Sequence, residues 1–180
     1  MSLGEPSSAR ASLRAMAHPI RLRIMSLLTA APMTAAEVAR ELGLTHANAS
    51  YHLRNLLTGG LIFVESEEKI RGGVAKRYRY DASYEREQRL GRGPLSDEQL
   101  RGDFTAVAHE LIRRTRDAGF PDSGKVLADA ELWVDRATWD DLRTRISEAL
   151  VELHKVAKPP RTPGTIRTST TAAMFEMESE

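Results

Sequence analysis

The sequence predicts a mainly α-helical protein with a small β component, and three observations carry that prediction. Apolar residues recur at helical spacing in five segments of the 180 residues, the pattern of amphipathic helices with one buried face. Three segments pair a hydroxyl residue with an acceptor three positions on: Thr34 with Glu37, Ser96 with Gln99, and Thr138 with Asp141. Such pairs satisfy the free N–H groups of a helix start. Between Gly59 and Ser83 the helical period is lost, and "LIFVES" and "KRYRYDA" form β-rich runs around Gly72-Gly73, as a hairpin would.

Taken in order, Met1 to Arg10 lacks the apolar stretch of a secretory signal and is expected as a short arm. A helix over about 8–17 is followed by one over about 19–30, with Ile20, Ile24, Leu27 and Leu28 on its buried face. Pro19 suits a first helical turn, and His18 can cap it. Ala31-Pro32 ends it, and Thr34 opens the next helix, with Val38 and Leu42 inward. Gly43 breaks that helix in a left-handed conformation, and Leu44 plugs the turn beneath. Thr45 caps a helix to Thr58 whose Ala49, Leu53 and Leu56 face the core. Gly59-Gly60 stop it through positive φ. The hairpin that follows is expected to have a long polar tip.

"YEREQRLGRGPL" reads as a polar connection, with Gly91 to Pro94 dividing residues 1–94 from a helical dimerisation or accessory region at 95–180. There, Leu100, Phe104, Val107 and Leu111 mark a helix over about 97–118. Trp139, Leu142, Ile146, Ala149, Leu153 and Val156 mark a second, over about 138–157, in heptad rhythm. These two faces can pack on each other or form a dimer interface. "ELWVD" and "TIRTSTTAAMF" are expected to pair as a small two-stranded sheet. Trp133 and Trp139 are expected as core aromatics of that region, or as the lining of an apolar pocket for a small-molecule effector.

Hydrophobic residues make up 41% and charged residues 28%, the balance of an ordinary globular chain. There is no cysteine, which excludes disulfides, thiolate metal sites and a cysteine nucleophile and suits a reducing cytosol. No apolar run approaches the ~18 residues of a membrane span, so no membrane partner is expected. Residues 1–94 carry 14 Lys/Arg against 9 Asp/Glu, and residues 95–180 carry 12 against 16. The basic front is therefore the half suited to phosphate. No nucleophile elbow, glycine-rich phosphate loop or H-E-x-x-H helix is present, so an enzyme is not expected.

Thr34 to Leu61 therefore reads as helix, tight turn, helix, with the second helix exposing His46, Ala47, Asn48, Ser50, Tyr51 and Arg54. A face with donors, acceptors, one small residue and an arginine suits base edges in a major groove, since Asn can hold adenine and Arg guanine or phosphate. Thr45 brings the free N–H groups of the helix start toward a phosphate. The hairpin adds Lys69, Arg71, Lys76, Arg77 and Arg79, of which Arg71 and Arg77 are candidate backbone or minor-groove contacts. Tyr78 and Tyr80 are expected to pack, and Glu65, Glu67 and Glu68 to frame the hairpin or keep its edge from aggregating. Double-stranded DNA is the implied partner. A protein-interaction or ligand-responsive dimer without specific DNA readout is the alternative.

The stretch "LRAMAHPIRLRIMSLL…MTAAEVARELGLTHANASYHLRNLLTGGLI" resembles the arsenic-repressor-like (ArsR) family of winged helix-turn-helix regulators. The resemblance rests on "A-x-P-x-R-x-x-I-x-x-L-L", "ELGL" and "S-x-H-L-x-x-L" before "GL", and covers roughly residues 10–82. It implies a repressor acting as a homodimer on a two-fold symmetric operator, with base contacts from His46, Asn48, Ser50 and Tyr51. Dimerisation would run through the 97–118 helix and the N-terminal helix. Metal sensors of that family use Cys-x-Cys, Asp-x-His or His-x-x-His ligands. Here the helix at 34–42 has no cysteine, and His109, Glu110 and His154 lack that spacing, so neither metal nor other cofactor is expected. His52 is expected half-buried on the recognition helix, and His109 on a helix flank.

Overall fold

In the computed structural model, which describes residues 18–70, 73–90, 95–119 and 125–178, three helices precede a two-stranded antiparallel sheet and further helices follow. The order is α1 (Pro19–Ala30), α2 (Ala35–Leu42), α3 (His46–Thr58), β1 (Phe63–Ile70), β2 (Gly73–Arg79), α4 (Ala82–Leu90), α5 (Asp97–Arg116) and α6 (Arg136–Lys155). This is a winged helix-turn-helix followed by helices. The expected helix at 8–17 and the Gly91–Pro94 boundary lie outside the described residues.

Local chemistry sets the front-half boundaries. Pro19 occupies the first turn of α1, where its missing N–H costs nothing, and the His18 ring nitrogen Nδ1 accepts from the Ile20 N–H at 3.2 Å. α2 opens on a reciprocal capping box. The Glu37 N–H donates to the Thr34 hydroxyl at 3.3 Å, and the Thr34 N–H donates to the Glu37 carboxylate at 2.7 Å. Gly43 ends α2 at φ 66°, and Leu44 closes the turn by donating to the Ala39 carbonyl at 2.8 Å. Thr45 caps α3 by accepting from the Asn48 N–H at 3.2 Å. Of the two glycines expected to stop α3 through positive φ, only Gly60 does so, at 59°; Gly59 stays right-handed at −71°.

Ile24, Leu28, Val38, Ala49, Leu53, Leu56 and Ile62 are fully buried and form one core. α3 is seated on it through the predicted three residues. β1 and β2 pair from Phe63↔Arg79 to Ile70↔Gly73, with an irregularity between Val64 and Ser66. The expected long polar tip is thus mostly strand, and only positions 71–72, outside the described residues, separate the paired ends. Met33 and Tyr78 exchange both backbone hydrogen bonds, at 3.0 and 2.9 Å, stitching the α1–α2 linker to the hairpin.

The back half departs further from expectation. The "polar connection" contains α4, because the Asp81 carboxylate accepts from the Ser83 and Tyr84 N–H groups at 2.7 and 3.2 Å, a helix start. Tyr84 then rests on Phe63 with ring centroids 4.9 Å apart. α5 starts at the predicted capping box, where the Ser96 N–H donates to Gln99 at 2.7 Å. α6 does not start at Thr138. Asp135 is its cap and accepts from the Thr138 N–H at 2.9 Å and from its hydroxyl at 2.7 Å. A carboxylate at the cap also faces the positive end of the helix dipole, so it wins over a hydroxyl three residues on.

The small sheet expected from "ELWVD" and "TIRTSTTAAMF" does not form; neither segment is a strand or has a ladder partner. The second segment leads to a tether instead. Glu176 receives two hydrogen bonds from Arg136, at 2.6 and 2.7 Å, and Phe175 meets Phe104 with centroids 5.1 Å apart. Trp133 is 89% exposed and Trp139 partly covered, so Trp133 is neither a core aromatic nor a pocket lining. α5 and α6 both pack on α1, but their heptad faces are only partly covered, with Leu100, Phe104, Leu111, Leu142, Ile146 and Leu153 37–42% exposed. Within α5 the buried residues are Ala106 and Glu110, and Glu110 is gripped by Arg113 and Arg114 at 2.7–3.0 Å. Burial alone would raise the Glu110 pKa; the two guanidinium groups hold it below the ordinary carboxylate value.

Candidate nucleic-acid interface

α3 presents two opposed faces. Ala49, Leu53 and Leu56 are sealed in the core, while His46, Ala47, Asn48, Tyr51 and Arg54 are exposed and Ser50 is half-exposed. Thr45 spends its hydroxyl on the Asn48 N–H. The N–H groups of the first two helical residues, His46 and Ala47, remain at the exposed helix start, where backbone donors and the dipole favour an anion. Arg54 has no hydrogen-bond or ion-pair partner among the described residues, so its guanidinium is available to an external acceptor. Asn55 is used internally, donating to the Tyr51 carbonyl at 3.0 Å. The predicted α3 residues thus share one surface.

The hairpin contributes less than its composition suggests. Lys76 faces Glu67 across the ladder and pairs with it at 3.4 Å. Arg77, expected as a DNA contact, points back into the domain. Its guanidinium donates to the Pro32 carbonyl at 3.1 Å, meets the Glu37 carboxylate at 3.2 and 3.3 Å, and pairs with Glu68 at 3.4 Å. Those carboxylates, Glu37 foremost, raise its pKa above the ordinary guanidinium value. Arg77 is a brace between hairpin and α2, with its guanidinium engaged by carboxylates of the same domain. Arg71 lies outside the described residues, and Lys69 is exposed near the end of β1. Glu67 and Glu68 are the cross-strand ion-pair partners of Lys76 and Arg77.

Beneath the exposed face of α3, His18, Arg21 and His52 cluster against Tyr51, a grouping not foreseen from the sequence. His52 is 4% exposed, and its ring stands 4.8 Å from that of His18 and 5.3 Å from that of Tyr51. Arg21 is buried next to them; burial lowers its pKa, and the neighbouring Tyr51 partly offsets the loss. Arg21 is the arginine of the "A-x-P-x-R" pattern, which was the available signal for it. His52 is more buried than the expected half. His109 is exposed on α5, as expected.

Burial, followed by the Arg21 charge, holds His18 below its ordinary pKa, and burial followed by His18 and Arg21 does the same for His52. The folded state therefore binds fewer protons than the unfolded chain once pH falls below about 6.5. Stability should be intact above that pH and fall below it until the folded pKa values are passed, by at most roughly 1.4 kcal/mol per pH unit per histidine. Urea unfolding between pH 8 and 5 measures this. His52→Phe, which removes one titrating group, should flatten the decline; an unchanged slope would assign it to other groups.

Residues 16–65 match the family of the helix-turn-helix domain. The match spans α1, the α2–turn–α3 unit and the first residues of β1. No curated protein matches the chain. The helix-turn-helix domain points to DNA-binding regulation rather than catalysis. Among the described residues no helix is long and apolar enough to cross a membrane, and no group of three or more His, Asp and Glu side chains could hold a metal.

Proposed function

We propose that the protein is a sequence-specific transcriptional regulator of the ArsR-like type, a repressor that binds a two-fold symmetric operator in double-stranded DNA as a homodimer. The reading is carried by α3, which has a fully sealed core face and an opposite face holding the partnerless Arg54 beside His46, Asn48, Ser50 and Tyr51. In this reading the N–H groups after Thr45 hold a phosphate, Asn48 reads adenine, and Arg54 reads guanine or a phosphate. Tyr51, steadied by Arg21, adds an aromatic contact. Lys69 and Arg71 follow the backbone beside the groove. α5, whose Leu100, Phe104 and Leu111 remain 37–42% exposed, and the N-terminal helix bring two recognition helices about one DNA turn apart, ~34 Å.

Selection of bound duplexes from a random pool with the purified protein tests the reading and should return a two-fold symmetric site. Arg54→Ala and Tyr51→Ala should each lower the ratio of operator to random-DNA affinity by roughly 5- to 150-fold, the worth of one good base contact. Lys69→Ala should weaken all sequences alike and reduce the salt slope by about 1. A selected pool without consensus, or a ratio that survives both α3 substitutions, would overturn the assignment.

A further inference from the structure

The C-terminal half carries apolar surface that its own chain leaves uncovered. α6 buries no residue over its 20 positions, and Leu142, Ile146, Leu153 and Val156 stay 41–59% exposed along it. The segment that leads into α6 is neither helix nor strand and is still more open. Val126 is 94% exposed, Leu127 99%, Leu132 75% and Trp133 89%. Large apolar side chains in that state leave on the order of 100 Å² each in water. These eight together approach the ~800 Å² that each partner contributes to a standard stable interface. A monomer rarely displays so much in one region.

Both halves of a fitting contact are on this one chain. α6 is an amphipathic helix about 30 Å long with one apolar stripe of Leu142, Ile146 and Leu153. Residues 125–134 are neither helix nor strand, and as a strap they can reach up to about 33 Å. Asp129 and Glu131 on the strap complement Arg143 and Arg145 beside the α6 face, whose own pairs with Asp140 and Asp141 are exposed, at 3.3 and 3.5 Å. Within one protomer the strap runs straight into the Asp135 cap and stays uncovered. Two copies related by a two-fold axis satisfy both surfaces at once, each strap lying on the other's helix, as in exchange of identical elements. Nucleic acid is a poor occupant, because residues 95–180 carry 16 acidic against 12 basic side chains.

We propose that residues 125–134 form an exchange strap that packs along α6 of a second copy of this chain. The inference deepens the homodimer reading above and does not depend on what DNA the dimer reads. The chain has two tryptophans, so Trp139→Phe leaves Trp133 as the sole indole reporter in the full-length protein. Sedimentation equilibrium and acrylamide quenching over a dilution series should show a dimer with a shielded Trp133 that becomes quenchable as the dimer dissociates. Trp133→Glu should raise the dimer dissociation constant by roughly 100-fold, the size of an interface hot spot. Its circular dichroism should match the parent, since Trp133 is 89% exposed within the protomer.

A protein that is monomeric at all concentrations overturns both strap and homodimer. A dimer whose Trp133 stays fully quenchable, or which tolerates Trp133→Glu, overturns the strap and leaves dimerisation through α5. Shielding of Trp133 that is independent of dilution places the strap on its own chain and also overturns the proposal. A dilution-dependent shield in a protein that selects no DNA sequence supports the strap and removes the DNA reading.

Discussion

Leu53→Ala is expected to destabilise the protein by roughly 3–5 kcal/mol, the range for deleting a sealed leucine side chain from a packed core. Leu53 is 0% exposed and belongs to the cluster of Ile24, Leu28, Val38 and Leu56. The loss combines the transfer of the missing carbons with the cavity left among helices that cannot fully close over it. Against a typical total of about 5–15 kcal/mol, that is enough to populate unfolded chains near physiological temperature. Urea titration followed by circular dichroism should show a lower midpoint at an unchanged slope. On the proposed reading, sequence-specific DNA binding should fall with it, because Leu53 lies directly behind the exposed residues of α3. A loss below about 1 kcal/mol would mean that α3 is not seated as described.

Glu37→Ala is expected to cost about 2–4 kcal/mol, with about 1 from the helix cap and the rest from hydrogen bonds to a charged partner. One carboxylate serves both: it accepts from the Thr34 N–H at 2.7 Å and from the Arg77 guanidinium at 3.2 and 3.3 Å. Burial would raise its pKa, but Thr34 and then Arg77 hold it below the ordinary value. Its contribution is thus present above about pH 4.5 and lost as pH falls through the lowered folded pKa. Glu37→Gln keeps an acceptor for the Thr34 N–H and loses the charge, so it should cost less than alanine. A double-mutant cycle with Arg77→Met isolates the brace. Additive losses would show that the two side chains act separately.

The front half was legible because its signals are local. Pro19, the Thr34–Glu37 box, Gly43 and Thr45 act within four residues of themselves, and Ala49, Leu53 and Leu56 needed only helical periodicity to be placed inward. The brace made by Arg77 is not legible in the sequence because its partner is 40 residues away, and composition cannot tell a solvent-facing arginine from one turned back onto α2. α4 was missed because Asp81, its cap, was read as the end of a strand. The Thr138 start was displaced because Asp135 and Thr138 both suit a cap and the charged one prevailed. β propensity in "ELWVD" and "TIRTSTTAAMF" was real, but propensity makes a sheet only where strands find each other. Here the first runs out as an uncovered strap, and the second leads to a tether from Glu176 to Arg136.

The Met33–Tyr78 bridge gives the front half the mechanics of a closed frame. Load applied at the hairpin tip runs down β2 to Tyr78, crosses two backbone hydrogen bonds to Met33, and enters the start of α2 at Thr34. The same route is doubled by the side chains of Arg77 and Glu37. The wing is therefore tied to the start of α2 at two points among the described residues. Whatever tilts it tilts α2 as well, and the Gly43 turn passes that tilt on to α3.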